Sequence, residues 1–143
     1  MAQDLRVVLD TNVILAAKRS PNAASPNVEI LDRWQQREFT VLYTLDTLAE
    51  YAEKLLEHGI PEHEVEAFIR SLARHGEQVS VVAFHFRHYP VDADDVMFVL
   101  CAANGDASHL VSYDEHLLTL RSYYSGEFII CRTQEFLAAC RNR

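Results

Sequence analysis

Two aspartates close apolar runs in this sequence, and their placement is its first chemical clue. Asp10 ends the run Val7-Val8-Leu9, and Asp114 directly follows Leu110-Val111-Ser112-Tyr113. Continuous apolar runs of this length read as strands buried on both faces. In open parallel sheets, ligands bind beyond the carboxyl ends of such strands, at a topological switch point. Asp10 and Asp114 therefore hold equivalent positions where a ligand would sit. A third acid, Asp95, opens a helical stretch running to Asn104 and shares a stripe with Phe98, Val99 and Ala102. A carboxylate aimed that way is costly unless paired, hydrogen-bonded or metal-bound. The alternative is that Asp94 or Asp95 is only a helix cap or first-turn acid. Glu50 projects away from the apolar face Leu48, Ala52, Leu55 and Leu56, beside Glu53 and Glu57. Taken alone that is a solvated acidic face, and periodicity does not separate Glu50 from Glu53.

The elements that must position these acids alternate. Strand-length apolar runs occupy residues 5–9, 39–43, 79–84, 109–112 and 128–131. Between them lie helix patterns with recognisable ends. Ser25 and Pro26 lead into residues 28–37, and Asp46 or Thr44 caps residues 47–58, which Gly59 ends. Pro61 opens a helix that Gly76 stops; further helices cover 94–105, 115–123 and 133–141. This alternation predicts a three-layer α/β/α sandwich around a mainly parallel sheet. With no repeat, linker or low-complexity tract, the 143 residues read as one domain, 1–143. A chain of that size buries roughly two-thirds of its unfolded surface, enough for a core without staples.

Charge and cysteines narrow the function classes. Thirteen Lys plus Arg against 21 Asp plus Glu give a net charge of -8, which counts against nucleic-acid binding, where phosphate neutralisation supplies most affinity. The objection weakens if carboxylates converge on divalent cations, which would invert the local field. No apolar run is long enough to span a bilayer, and Met1-Ala2-Gln3-Asp4 carries no basic leader region, so a cytoplasmic protein is expected. Cys101, Cys131 and Cys140 lack any Cys-x-x-Cys pair and read as three buried thiols.

Four segments together resemble the successive motifs of PIN-domain nucleases: Arg6-Val7-Val8-Leu9-Asp10-Thr11-Asn12-Val13, then Leu48-Ala49-Glu50-Tyr51, then Asp92-Ala93-Asp94-Asp95 to Phe98, then Leu110-Val111-Ser112-Tyr113-Asp114. The resemblance covers nearly the whole chain and is nearest to the toxin components of bacterial toxin–antitoxin pairs. Each motif alone is weak; four in order at suitable spacing are specific. The resemblance implies a PIN-like fold and metal-binding, catalytic acids at Asp10, Glu50, Asp95 and Asp114, with Asn12 and Ser112 as polar neighbours that orient them. It further implies an endoribonuclease using one or two Mg²⁺ or Mn²⁺ ions, an RNA substrate, a homodimer and an antitoxin partner. The chain departs from the family pattern at Ala93, where proline is usual, at Tyr113, often glycine, and at His116, often acidic. The last bears on one peripheral or second-metal contact. Physical chemistry agrees with the implied site: crowded carboxylates repel, their pKa values rise unless cations fill the gap, and hard oxygen donors select Mg²⁺ or Mn²⁺ over zinc.

Substrate contacts are sought among Tyr113, which would stack on a base beside Asp114, His116, and Arg70 with Arg74, one helical turn apart. Lys18, Arg19, Lys54 and Arg121 are the other basic residues expected near the mouth. His85 and His88 are a poor ligand pair, because strand positions three apart face opposite sides. Asp10-Thr11-Asn12-Val13 also resembles the aspartyl-nucleophile motif of haloacid dehalogenase-type phosphatases, but Asn12 replaces the second aspartate and the paired acids precede Ser112. A receiver-type phospho-acceptor lacks its lysine. The competing function is a catalytically weak or inactive module acting through nucleic-acid or partner binding.

Overall fold

The computed structural model describes residues 4–82 and 93–142. Five strands, β1 (Arg6–Leu9), β2 (Thr40–Tyr43), β3 (Glu77–Gln78), β4 (His109–Val111) and β5 (Ile129–Cys131), form an all-parallel sheet in the order β3-β2-β1-β4-β5. Val7 pairs with both Val41 and His109, so β1 is central. The chain moves outward from β1 to β3 and then returns to β4 on the other side of β1. The topological switch point thus lies between β1 and β4.

Helices α1 (Thr11–Arg19) and α2 (Pro26–Gln35) join β1 to β2, and α3 (Leu45–Glu57) and α4 (Glu62–His75) join β2 to β3. A 3₁₀ turn over Ala93–Asp95 enters α5 (Val96–Asn104), which leads to β4. Between β4 and β5 lie α6 (Glu115–Leu118) and α7 (Arg121–Tyr124), and α8 (Thr133–Arg141) follows β5. Right-handed crossovers turn the connections running toward β3 and those running toward β5 onto opposite faces of the sheet. Val7, Val8, Leu9, Leu42, Leu110, Val111 and Ile130 are all fully buried, as strands covered on both sides require. Among the described residues no helix is long and apolar enough to cross a membrane.

The α/β expectation holds, and its local departures have physical reasons. Helix α1, absent from the sequence reading, starts without a loop: Asp10 ends the strand and caps the helix at once. The strand expected over 79–84 lies earlier, at Glu77 and Gln78, both exposed; residues 83 and 84 fall outside the described residues. An edge strand needs no apolar side chains, and this one is fastened by Arg6, which pairs with Glu77 and donates to the Gly105 carbonyl at 2.9 and 3.1 Å. The single helix expected over 115–123 is two four-residue helices, because α6 stops at Thr119 and α7 restarts after Leu120. Thr44, not Asp46, caps α3: its Oγ1 accepts from the Thr47 N–H at 3.1 Å and its own N–H donates to Thr47 Oγ1 at 2.9 Å. All three cysteines are buried, and burial pushes the Cys101 and Cys131 thiols up to about 12.

Gly105 marks a tight passage in the fold. A Cβ there would stand 2.8 Å from Val79 Cγ2, 2.9 Å from Leu42 Cδ1 and 3.0 Å from the Cys101 carbonyl. Overpacking of this kind costs about 1–3 kcal/mol. Gly105→Ala is therefore expected to lower the unfolding free energy by that amount, moving the urea midpoint down with an unchanged slope.

Candidate metal centre

The switch point gathers the acids. Asp10 leaves β1 with its N–H still bonded to the Val111 carbonyl at 2.9 Å, so it extends the ladder to β4 before the chain turns into α1. One carboxylate oxygen accepts the Thr11 N–H at 2.7 Å; the other accepts the Ser112 hydroxyl at 2.6 Å. Ser112, fully buried, accepts in turn from the Asp114 N–H at 2.9 Å. Asp114 then repeats the device of Asp10: it ends its strand segment and takes the His116 N–H at 2.9 Å on Oδ1 as the cap of α6. Both aspartates are thus pinned by helix starts, on neighbouring strands, with Ser112 bridging them.

Asp10, Glu50, Asp94, Asp95 and Asp114 line one cavity of about 190 Å³, enough for ions with their waters. Asp95 is buried at 5% exposure, and its backbone is helical rather than extended, with no capping bond from the side chain. Its side chain makes no capping bond, although Asp95 does stand in the first turn as an acid. Glu50, half-buried, separates from the exposed Glu53, since only Glu50 lines the cavity. The distinction comes from the position of α3 over the carboxyl ends of the strands. Tyr51, fully buried, fixes it there by donating its hydroxyl to the Leu9 carbonyl and packing edge-on to Phe68.

Electrostatics describe a site short of positive charge. Burial pushes the Asp10 carboxyl up to about 6 against the hydrogen bonds from Ser112 and Thr11, and Asp114 and Glu50 push the same way. The Glu50 carboxyl is raised by burial first and by Asp94 next, with Lys54 opposing. Asp95, Asp114 and His116 each offer one donor atom, all within 4.8 Å of one another. Buried oxygen donors held in place by backbone N–H groups, with raised carboxyls and room for water, fit a hard divalent cation.

Other expected residues fall as follows. Asn12 lines the cavity, but its Oδ1 accepts the Tyr113 N–H at 3.3 Å, so it tethers the end of β4 to α1 rather than orienting a carboxylate. Tyr113 is turned away, its hydroxyl 3.1 Å from Asn27 Oδ1 and 3.3 Å from Gln134 Oε1. Arg70 borders an apolar depression with Leu56 and Ile69, whereas Arg74 borders a separate, mainly polar one with Arg37 and His75; neither lines the acidic cavity. Lys54 and His58 do line it. His58 and Asp94 were not singled out as site residues from sequence. The spacing of Glu50, Lys54 and His58, four residues apart along one helix face, is the signal that links them. His85, His88, Tyr89 and Asp92 lie outside the described residues.

Because Ser112 serves both aspartates, Ser112→Ala should loosen the pair. Removing this kind of supporting hydrogen bond typically lowers metal affinity about 10- to 100-fold, and calorimetric titration of Mn²⁺ into the variant is expected to show a loss in that range.

The PIN domain family model matches residues 6–116. No curated protein matches the chain. The matched span runs from β1 through His116, takes in every acid of the cavity and covers well over half of the sequence. On that match, and on the parallel sheet whose switch point holds the acids, the chain belongs to the PIN-domain family, whose members are generally metal-dependent nucleases.

Proposed function

We propose that this protein is a Mg²⁺- or Mn²⁺-dependent endoribonuclease and the toxin half of a toxin–antitoxin pair. The observation that carries the reading is the convergence of Asp10, Glu50, Asp95 and Asp114 on one cavity at the β1–β4 switch point. These four would hold one or two ions. A bound ion supplies a water of lowered pKa and positive charge for the phosphodiester oxygens. The chain's own part is positional. Ser112 and the Thr11 N–H hold Asp10, the His116 N–H holds Asp114, and the 3₁₀ turn into α5 sets Asp95 at the cavity that Phe98 also lines. Lys54 and His58 stand at the cavity wall, where a backbone phosphate would meet them. No nucleophilic side chain is needed. The net charge of -8 is then no obstacle, since the acids that contribute to it are the ones a cation offsets. The same proposal includes a cytoplasmic homodimer and an antitoxin whose segment lies across the acidic cavity with a basic side chain in it.

The test is cleavage of mixed single-stranded RNA and DNA pools by purified protein with Mn²⁺, Mg²⁺ or EDTA. Metal-dependent cutting of RNA at internal positions supports the reading; cutting of DNA alone redirects the substrate. A second reading, a PIN module acting by binding without turnover, is favoured by the absence of Arg70 and Arg74 from the cavity. Inactivity over both pools and all metals, with intact fold, would establish it.

A further inference from the structure

His116 stands two residues beyond Asp114, and its ring shares the space of the acids. The backbone N–H donates to Asp114 Oδ1 at 2.9 Å, while the ring Nδ1 lies 3.7 Å from the same oxygen. A ring nitrogen of His116 and one carboxylate oxygen each from Asp95 and Asp114 lie within 4.8 Å of one another. Donors on opposite sides of a small divalent ion, each at ~2.0–2.2 Å, are separated by ~4–4.5 Å. The three atoms therefore span about one coordination sphere. Thr11 gives a second, independent sign of a ligand: the residue lines the acidic cavity, and its Oγ1 is buried without a hydrogen-bond partner. The imidazole is more than half exposed, so it can turn toward an ion without disturbing the core.

We propose that His116 is a nitrogen ligand of the divalent-cation centre and biases that centre toward Mn²⁺ over Mg²⁺. The inference rests on the reading of the cavity as a cation site and adds the donor chemistry that selects the ion. Mg²⁺ gives up its waters reluctantly and keeps oxygen donors, whereas Mn²⁺, though well served by carboxylates, stands at the start of the transition-metal series, whose members take imidazole. An all-carboxylate centre would show less of that preference. The nitrogen donor offers Mg²⁺ little and gives Mn²⁺ a further bond.

The experiment is pulsed electron paramagnetic resonance of the full chain loaded with Mn²⁺, with Mg²⁺ affinity measured by competition. Wild type is expected to show nitrogen coupling from a histidine, which His116→Gln removes and His58→Gln leaves in place. The ratio of Mg²⁺ to Mn²⁺ dissociation constants is expected to fall about tenfold in His116→Asp. Tight Mn²⁺ binding without histidine coupling, or coupling lost only in His58→Gln, overturns the proposal and leaves the cation centre standing. If wild type binds no Mn²⁺, the proposal and the nuclease reading fall together.

Discussion

Asp95→Asn should abolish metal-dependent cleavage while leaving the fold intact. We expect a loss of at least about a thousandfold, equivalent to about 4 kcal/mol of transition-state stabilisation. The size follows from what the substitution removes. Asp95 is buried at the base of α5, lines the cavity with the strand-end aspartates and makes no capping bond to its helix. An asparagine keeps the shape and removes the charge, so the loss falls on cation binding and not on packing. A neutral amide is also cheaper to bury than a carboxylate. Circular dichroism and thermal unfolding of the variant are expected to match wild type or exceed it. Wild-type cleavage by a folded Asp95→Asn protein would trace the activity to another nuclease in the preparation and remove support for the catalytic proposal.

The second large effect concerns stability without metal. The Asp10 carboxyl is raised from 3.8 to about 6, chiefly by burial. Between those values the folded chain holds a proton at Asp10 that the unfolded chain has lost, so stability falls as pH rises through this window. The favourable contribution is complete below about pH 4 and is lost above about pH 6. A shift of about two units corresponds to about 3 kcal/mol. In EDTA at pH 7, Asp10→Asn is therefore expected to be more stable than wild type by up to about 3 kcal/mol, and the gain should shrink toward zero near pH 4. Ser112 can still bond an amide there by reversing the hydrogen bond. Saturating Mn²⁺ is expected to raise the melting temperature of wild type at pH 7 and to leave the variant nearly unmoved. Equal stability of the two proteins in EDTA across pH 4–7 would show that Asp10 is not strained by its burial.

Much of the positioning was legible in the residues, and each exception has its own physical cause. Val7-Val8-Leu9 and Leu110-Val111 are apolar without interruption because both faces of their strands are covered, so the strands and the acids that close them could be found by pattern. Helix α1 leaves no boundary in the pattern because the usual loop signal is missing. Asp10 carries both roles, and the clue was its position just ahead of Val13, Ile14 and Ala17, the buried stripe of the helix. Strand β3 was displaced because its residues pair at an edge, where the backbone and Arg6 hold a polar segment. The acids show the same division. Asp10 and Asp114 are placed by local chain geometry, which sequence encodes. Glu50 and His58 are placed by where α3 docks, which depends on Tyr51 reaching Leu9 across 42 positions of chain. Periodicity describes one helix face, not the neighbour that face meets. Tyr113 is the converse case: adjacency to Asp114 placed it near the site, while hydrogen bonding to Asn27 turns its hydroxyl away.

The hydroxyl of Ser112 reaches Asp10 across 102 positions, and this has a consequence for how the protein is made. Synthesis delivers the amino-terminal strand first, yet its carboxylate has no bridging partner until the segment through Asp114 has left the ribosome. Folding that depends on so distant a closure is slow and comes late. A nascent chain therefore carries an unfinished acidic cavity until the segment through Asp114 has emerged.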